Sequence, residues 1–218
     1  MNYASLSGIL SEYNKYNVLI NNQEFGMPRD DTRESITWAN PGVLGLACFG
    51  FTTILLNVHN VGWIPGTMPV IWGFFWGGAA QVIAGIIEAR RGDTFAFTAF
   101  ISYGFFWIGL GFAFLLEWLG VITLDGPSLA WTMIAWGIFS GYMTVGSFRI
   151  SRAHSILFTG LTVLFGLLAG HFFGLVPVEV AGAEGIFVGA NASYISAAVL
   201  MNVMYGRWIL PIGLFTHK

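Results

Sequence analysis

Nine Lys and Arg residues can all be placed on one side of a membrane crossed by six long apolar stretches, which constrains this chain more than any other feature. The stretches run over roughly 41–59, 68–87, 97–116, 129–148, 155–176 and 186–204. Each holds about 19–22 residues, enough for a helix rising 1.5 Å per residue to cross a hydrocarbon core about 30 Å thick. Lys15, Arg29 and Arg33 precede the first stretch. Arg90 and Arg91 lie in the second connection, Arg149 and Arg152 in the fourth, and Arg207 and Lys218 follow the last. The first, third and fifth connections hold no Lys or Arg, and Glu117, Asp125, Glu179 and Glu184 lie in them or at their edges. By the positive-inside rule this predicts an all-α integral membrane protein of six transmembrane helices, with N and C termini cytoplasmic. The expected location is the cell membrane.

Composition points the same way. Only 9% of residues are charged and 56% are hydrophobic, whereas a soluble domain is nearer one quarter charged. No basic stripe suggests nucleic acid. Cys48 is the only cysteine and falls inside the first span, where a buried, inert thiol is expected. The four histidines, His59, His154, His171 and His217, are dispersed without metal-ligand spacing. Neither a metal nor a cofactor is expected, and no nucleophile–base pairing suggests an enzyme.

Residues 1–39 are polar and Asn-rich and read as a cytoplasmic tail ahead of a membrane domain over 40–218. No charged n-region precedes a short apolar core, so the tail does not read as a secretory signal. Leu6, Ile9 and Leu10 stand at the spacing of a short interfacial helix. The spans lack two-residue alternation and so read as helices rather than barrel strands. Trp63, Trp118 and Trp131 collect at one set of span ends, Trp38 and Trp208 at the other, as interfacial indoles do. Glycines recur four apart at Gly73/Gly77, Gly137/Gly141, Gly166/Gly170/Gly174 and Gly185/Gly189, a spacing that lets helix backbones approach within or between subunits. Spans one, three and five share an orientation and begin alike, which suggests a three-fold repeat of helix hairpins.

Uncharged polar residues inside the spans are the candidate lining of a path. They include Thr52, Thr53 and Asn57 in span one, Gln81 in span two, Ser102 in span three and Asn191 in span six. An amide in lipid is costly unless partnered, and the competing role for each is an interhelical hydrogen bond. No Lys or Arg lies deep in a span, so a permeant anion would be held by hydroxyls, amides and helix N-termini. Asn40 is expected to cap span one with Pro41 at the first helical position, and Asn40, Thr52 and Thr53 to line the inward half of the path.

The segment Asn40-Pro41-Gly42-Val43-Leu44-Gly45-Leu46 resembles the Asn-Pro-small-Pro-Leu-Gly-Leu signature of the acetate uptake transporters, the succinate–acetate permease group. The likeness continues through Phe49-Gly50-Phe51-Thr52-Thr53, Gly77-Gly78-Ala79-Ala80-Gln81, Gly92-Asp93-Thr94-Phe95, Ser102-Tyr103-Gly104, Leu161-Thr162 and Leu210-Pro211-Ile212-Gly213. It departs at Val43, where the family has its second proline; a backbone N–H is thereby restored. The resemblance implies a homohexamer of six-helix subunits, each a separate path for acetate and related monocarboxylates, with succinate and proton linkage as further expectations. It also implies an apolar constriction of a Phe, a Tyr and a Leu, here Phe49, Tyr103 and Leu161. Counted from the span starts, these three lie about 11–14 Å along their helices, the depth at which an apolar ring gates by dewetting. A pore for a small neutral solute such as water, ammonia or glycerol is the alternative.

Overall fold

The structure, a computed structural model, describes residues 39–215. They fall within one compact unit, Trp38–Lys218. The expected tail over 1–39, with Lys15, Arg29, Arg33 and Trp38, lies outside the described residues except for Ala39, as do His217 and Lys218. Among the described residues all regular structure is helical apart from a bridge between Ser151 and Leu214. Helix α1 is Gly42–Asn60. Helix α2 is Thr67–Arg91, interrupted by a π-helical turn at Phe75–Ala80. Then come α3 (Thr94–Trp118), α4 (Gly126–Ser147), α5 (Arg152–Phe172) and α6 (Val178–Met204).

Five of these, all but α4, are long and apolar enough to cross a membrane. Helix α4 has the length, at 22 residues, but its Ser, Thr, Trp and Tyr content lowers its hydropathy. The hydroxyls of Thr132, Ser140, Thr144 and Ser147 are nevertheless hydrogen-bonded within the protein. Thr132 and Thr144 donate to the carbonyls one turn back, and the Thr144 hydroxyl lies 3.1 Å from that of Thr162 on α5. Large side chains such as Phe75, Ile138, Val145 and Val203 stand on the outer surface. Apolar area on that scale requires lipid or a neighbouring subunit against it.

Local chemistry sets the helix ends. Asp93 and Asp125 sit in extended backbone and accept the N–H of Ala96 and Ser128 at 2.8 Å, so α3 and α4 start with carboxylate caps. Ser151 caps α5 through the N–H of His154. Hydrogen bonds from Ser128, side chain first and backbone second, hold the Asp125 carboxyl below the usual aspartate range. Helix α6 starts at Val178, eight residues before the expected 186, because Pro177 supplies a favourable start. Glu179 and Glu184 are therefore helical and not part of the connection.

Helix α1 packs on α6, α2 on α3, and α4 on α5. The α1–α6 seam explains the Gly185/Gly189 pair. A Cβ at Gly189 would stand 2.6 Å from the Gly50 carbonyl, and one at Gly185 would collide with the Asn57 amide. The two backbones approach as far as glycine allows, within one subunit. Gly141 and Gly166, by contrast, have nothing within 4 Å.

The C-terminal ends of α1, α3 and α5 are built alike. Gly62, Gly120 and Gly174 have φ of +79°, +70° and +75°. Each donates its N–H to the carbonyl three residues back, on His59, Glu117 and His171. The side chains of those three residues then bind their own turns: His59 Nδ1 to Ile64 O, Glu117 to the Leu124 N–H, His171 Nδ1 to Val176 O. At the opposite end the Leu210-Pro211-Ile212-Gly213 segment straps the start of α5. Arg152 and Ala153 donate their N–H groups to the carbonyls of Gly213 and Ile212. Asn202 holds the strap from α6, accepting from Ile209 and Leu210 and donating to the Leu210 carbonyl.

Candidate functional site

Three cavities lie in series among the helices. The outer one, about 370 Å³, is lined from α1, α3, α4, α5 and the first residue of α6, with His59 and His171 at its outer edge. The inner one, about 180 Å³, opens by Asn40, Glu88, Asp93 and His154. Between them is a space of about 20 Å³, room for about one water. It shares Phe49 and Leu161 with the outer cavity and Leu46, Ala99, Phe100 and Phe158 with the inner one.

Phe49, Tyr103 and Leu161 therefore meet at this pinch, each on a different helix. They are 6%, 2% and 3% exposed, which leaves almost no open bore. The Phe49 and Tyr103 rings are 5.6 Å apart, tilted by 54°. The Tyr103 hydroxyl lies 2.9 Å from that of Ser140 on α4, so the ring is held on its far side by a hydrogen bond. Phe158, one turn before Leu161, packs against Tyr103 at 6.3 Å. Ser140 and Phe158 were not among the expected site residues. A buried serine in a glycine-rich helix gave no sign of which hydroxyl it would meet.

Gln81 reaches the pinch. It is the first residue after the π turn and is 1% exposed. Its Oε1 is buried without a hydrogen-bond partner in the structure. π turns cluster at functional sites because they re-aim the side chains that follow them.

The outer cavity receives Thr53, Asn57 and Asn60 from α1 and Trp107 from α3. Thr53 donates to the Phe49 carbonyl at 2.7 Å, and Asn57 donates to the Thr53 carbonyl at 2.8 Å while accepting from Asn60 at 3.0 Å. Trp107 is 4% exposed and its Nε1 has no partner. Thr53 thus lies beyond Phe49, in the outer half and not the inner. One further helical turn past the pinch carries it about 6 Å outward. Thr52 faces away from all three cavities, with its methyl and hydroxyl against Gly77 on α2. Ser102 and Asn191 line none of the three either.

In the inner cavity Asn40 Oδ1 accepts the Gly42 N–H at 2.9 Å. Regular helix begins at Gly42, yet Pro41 already has helical dihedrals, φ −76° and ψ −14°. The bond is the one an N-cap makes, with helix assignment shifted by a residue. The positive end of α1 is not bare, however. A Glu88 carboxylate oxygen stands 3.3 Å from where a Gly42 Cβ would lie. Arg91 is 3.7 Å from that carboxylate and donates to the Ala39 carbonyl. His154 closes the cavity from α5, its Nδ1 2.7 Å from the Ser151 hydroxyl. No cluster of His, Cys, Asp and Glu able to hold a metal occurs among the described residues.

The profile of the GPR1/FUN34/yaaH family matches residues 24–211. The chain is 42% identical over 182 residues to the succinate-acetate/proton symporter SatP of Escherichia coli K12, covering 80% of this chain and 95% of that protein. It is 34% identical over 169 residues to ammonia transport outward protein 2 of Saccharomyces cerevisiae, covering 72% of this chain and 60% of that one. The solved structure of the bacterial acetate channel SatP superposes with a TM-score of 0.78 at 41% identity, over 81% of this chain and 100% of that chain.

Proposed function

Because the chain belongs to the GPR1/FUN34/yaaH family, we propose that it is a membrane transporter or channel for acetate and related short monocarboxylates, with proton linkage. The observation that carries this reading is the pair of vestibules closed off by the Phe49–Tyr103–Leu161 pinch. An acetate-sized solute fits either vestibule, and a narrow apolar neck between wet cavities suits selection by size and desolvation. The path runs from Asn40 through Gln81 to Thr53 and Asn57. The full reading has six spans, α4 being the sixth, both termini in the cytoplasm, and a homohexamer burying part of the exposed apolar surface. Arg90, Arg91, Arg149, Arg152 and Arg207, all at one set of helix ends, support that orientation.

Uptake of labelled acetate into liposomes containing the purified protein is the direct test. The expected result is protein-dependent entry, with accumulation when the lumen is alkaline. A pore for a neutral solute is favoured by one feature, the lack of any Lys or Arg lining the pinch. It would pass water, ammonia or glycerol with no response of acetate to the pH gradient.

A further inference from the structure

Two side chains on the outward faces of the bundle carry complementary polar atoms that nothing among the described residues meets. On one flank, Trp76 of α2 stacks on Phe51 of α1, with centroids 5.6 Å apart and planes within 8°. Trp72 packs edge-on against Trp76 at 5.0 Å. Trp72 is half-buried, and among the described residues its indole N–H donates to no acceptor. On the other flank Glu184 of α6, also half-buried, makes no hydrogen bond or ion pair among the described residues. Its Oε1 turns toward α5 and stands 3.2 Å from where a Gly160 Cβ would lie. Gly160 is twelve residues short of the end of α5 at Phe172, about 18 Å along the helix, so the carboxyl points away from the nearer headgroups. A donor and an acceptor unmet at that level are each costly.

The two lie at one depth. Gly77 of α2 abuts Thr52 of α1, and Gly185 of α6 abuts Asn57 of α1. Both helices run antiparallel to α1, so the five residues from Thr52 to Asn57 match the five back from Gly77 to Trp72. Trp72 is therefore level with Gly185, the neighbour of Glu184. Helix α1 packs on both α2 and α6 and stands between them, so one subunit cannot join the pair.

We propose that these flanks are the two sides of one interface between copies of this chain, in which the Trp72 indole N–H donates to the Glu184 carboxyl of the next copy. Copies related by rotation about the membrane normal meet only at equal depth, and the pair satisfies that condition. An indole N–H only donates and an ionised carboxylate only accepts, so neither side is its own complement. The contact is head-to-tail and repeats until a ring closes. This rests on the membrane placement and multi-copy assembly proposed above, and is independent of the solute.

The test uses the full chain in native membranes, in a Cys48→Ser background. With Trp72→Cys and Glu184→Cys in one chain, a short bis-maleimide should give a ladder of covalent species from two copies upward. Either cysteine alone should give none, and the two single variants co-expressed with different tags should give only mixed dimers. Dimers of a single-cysteine variant would mean a two-fold contact and overturn the proposal. A double variant that takes up acetate yet stays uncross-linked overturns it as well. Because the cysteines delete the bond they probe, subunit exchange between tagged populations in mild detergent supplies a second measurement. Exchange should quicken about threefold or more in Trp72→Phe and in Glu184→Leu, as loss of an interhelical hydrogen bond requires. It should stay near wild type in Glu184→Gln, whose amide oxygen still accepts. A carboxyl that faces only lipid predicts no faster exchange in Glu184→Leu, and that result overturns the interface. Cross-linking in a chain that carries no acetate removes the transport reading and leaves the interface standing.

Discussion

The hydroxyls of Tyr103 and Ser140 lie 2.9 Å apart across the α3–α4 interface, both buried. This bond joins Trp136 and Phe139, packed at 5.8 and 5.3 Å from the Tyr103 ring, in holding that ring from α4. Ser140→Ala strands the Tyr103 hydroxyl in apolar surroundings and should destabilise the protein by about 1–3 kcal/mol. Tyr103→Phe removes the other partner, and the double variant should cost less than the sum of the two. A thermal-denaturation cycle in detergent measures the coupling. Strict additivity would mean the bond contributes nothing to holding the ring.

Size selection should follow from the same geometry. Leu161 is 3% exposed and borders both the outer cavity and the pinch. Leu161→Ala opens the neck and carries a stability cost of about 2–5 kcal/mol. Uptake of lactate and succinate relative to acetate should rise severalfold in Leu161→Ala and in Tyr103→Ala. Relative rates unchanged in both variants would place size selection elsewhere along the path.

Topology has a direct readout. Thr123, exposed in the α3–α4 connection, and Arg90, exposed at the end of α2, lie at opposite faces in the proposed orientation. They are preferable to Asp125 and Asp93, whose carboxylates cap helices. In a Cys48→Ser background, Thr123→Cys should react with an impermeant maleimide on intact cells. Arg90→Cys should react only after permeabilisation. Labelling of both from outside would end the six-span arrangement.

The helix count was legible because span length is a property of sequence alone, whereas the meeting of Phe49, Tyr103 and Leu161 was implied by the family resemblance, to which their similar depth from the span starts only added. Depth alone misled at Thr53. Placing it in the inner half ignored that Phe49, one turn earlier, already closes the path. Which way Thr52 points was equally hidden. It depends on Gly77 admitting α1 so closely that the hydroxyl turns into a seam. Ser140 could not be found, because its role comes from a residue on another helix, 37 positions away. Gln81 was expected on the path as a buried amide. Its aim into the neck comes from the π turn at Phe75–Ala80, which leaves no periodicity of its own in the sequence.

Asn40 remains the residue whose two roles most need separating. Its Oδ1 caps α1 through Gly42, and the same side chain lines the inner vestibule with Glu88 and Asp93. Asn40→Asp keeps the capping oxygen and adds a third carboxylate to that cavity. A purely structural cap would tolerate the change, since aspartate and asparagine cap about equally well. If arriving anions are gathered there, the added charge repels them, and Coulomb repulsion a few ångströms away in partly wet surroundings is large enough to be measured. The expected result is a severalfold rise in the acetate concentration giving half-maximal efflux from the cytoplasmic side, reduced at high salt, with expression and thermal midpoint unchanged. Asn40→Ala should instead lower the thermal midpoint through loss of a cap contributing about 1 kcal/mol. Wild-type efflux in Asn40→Asp at low salt would leave Asn40 as a cap and remove it from the path.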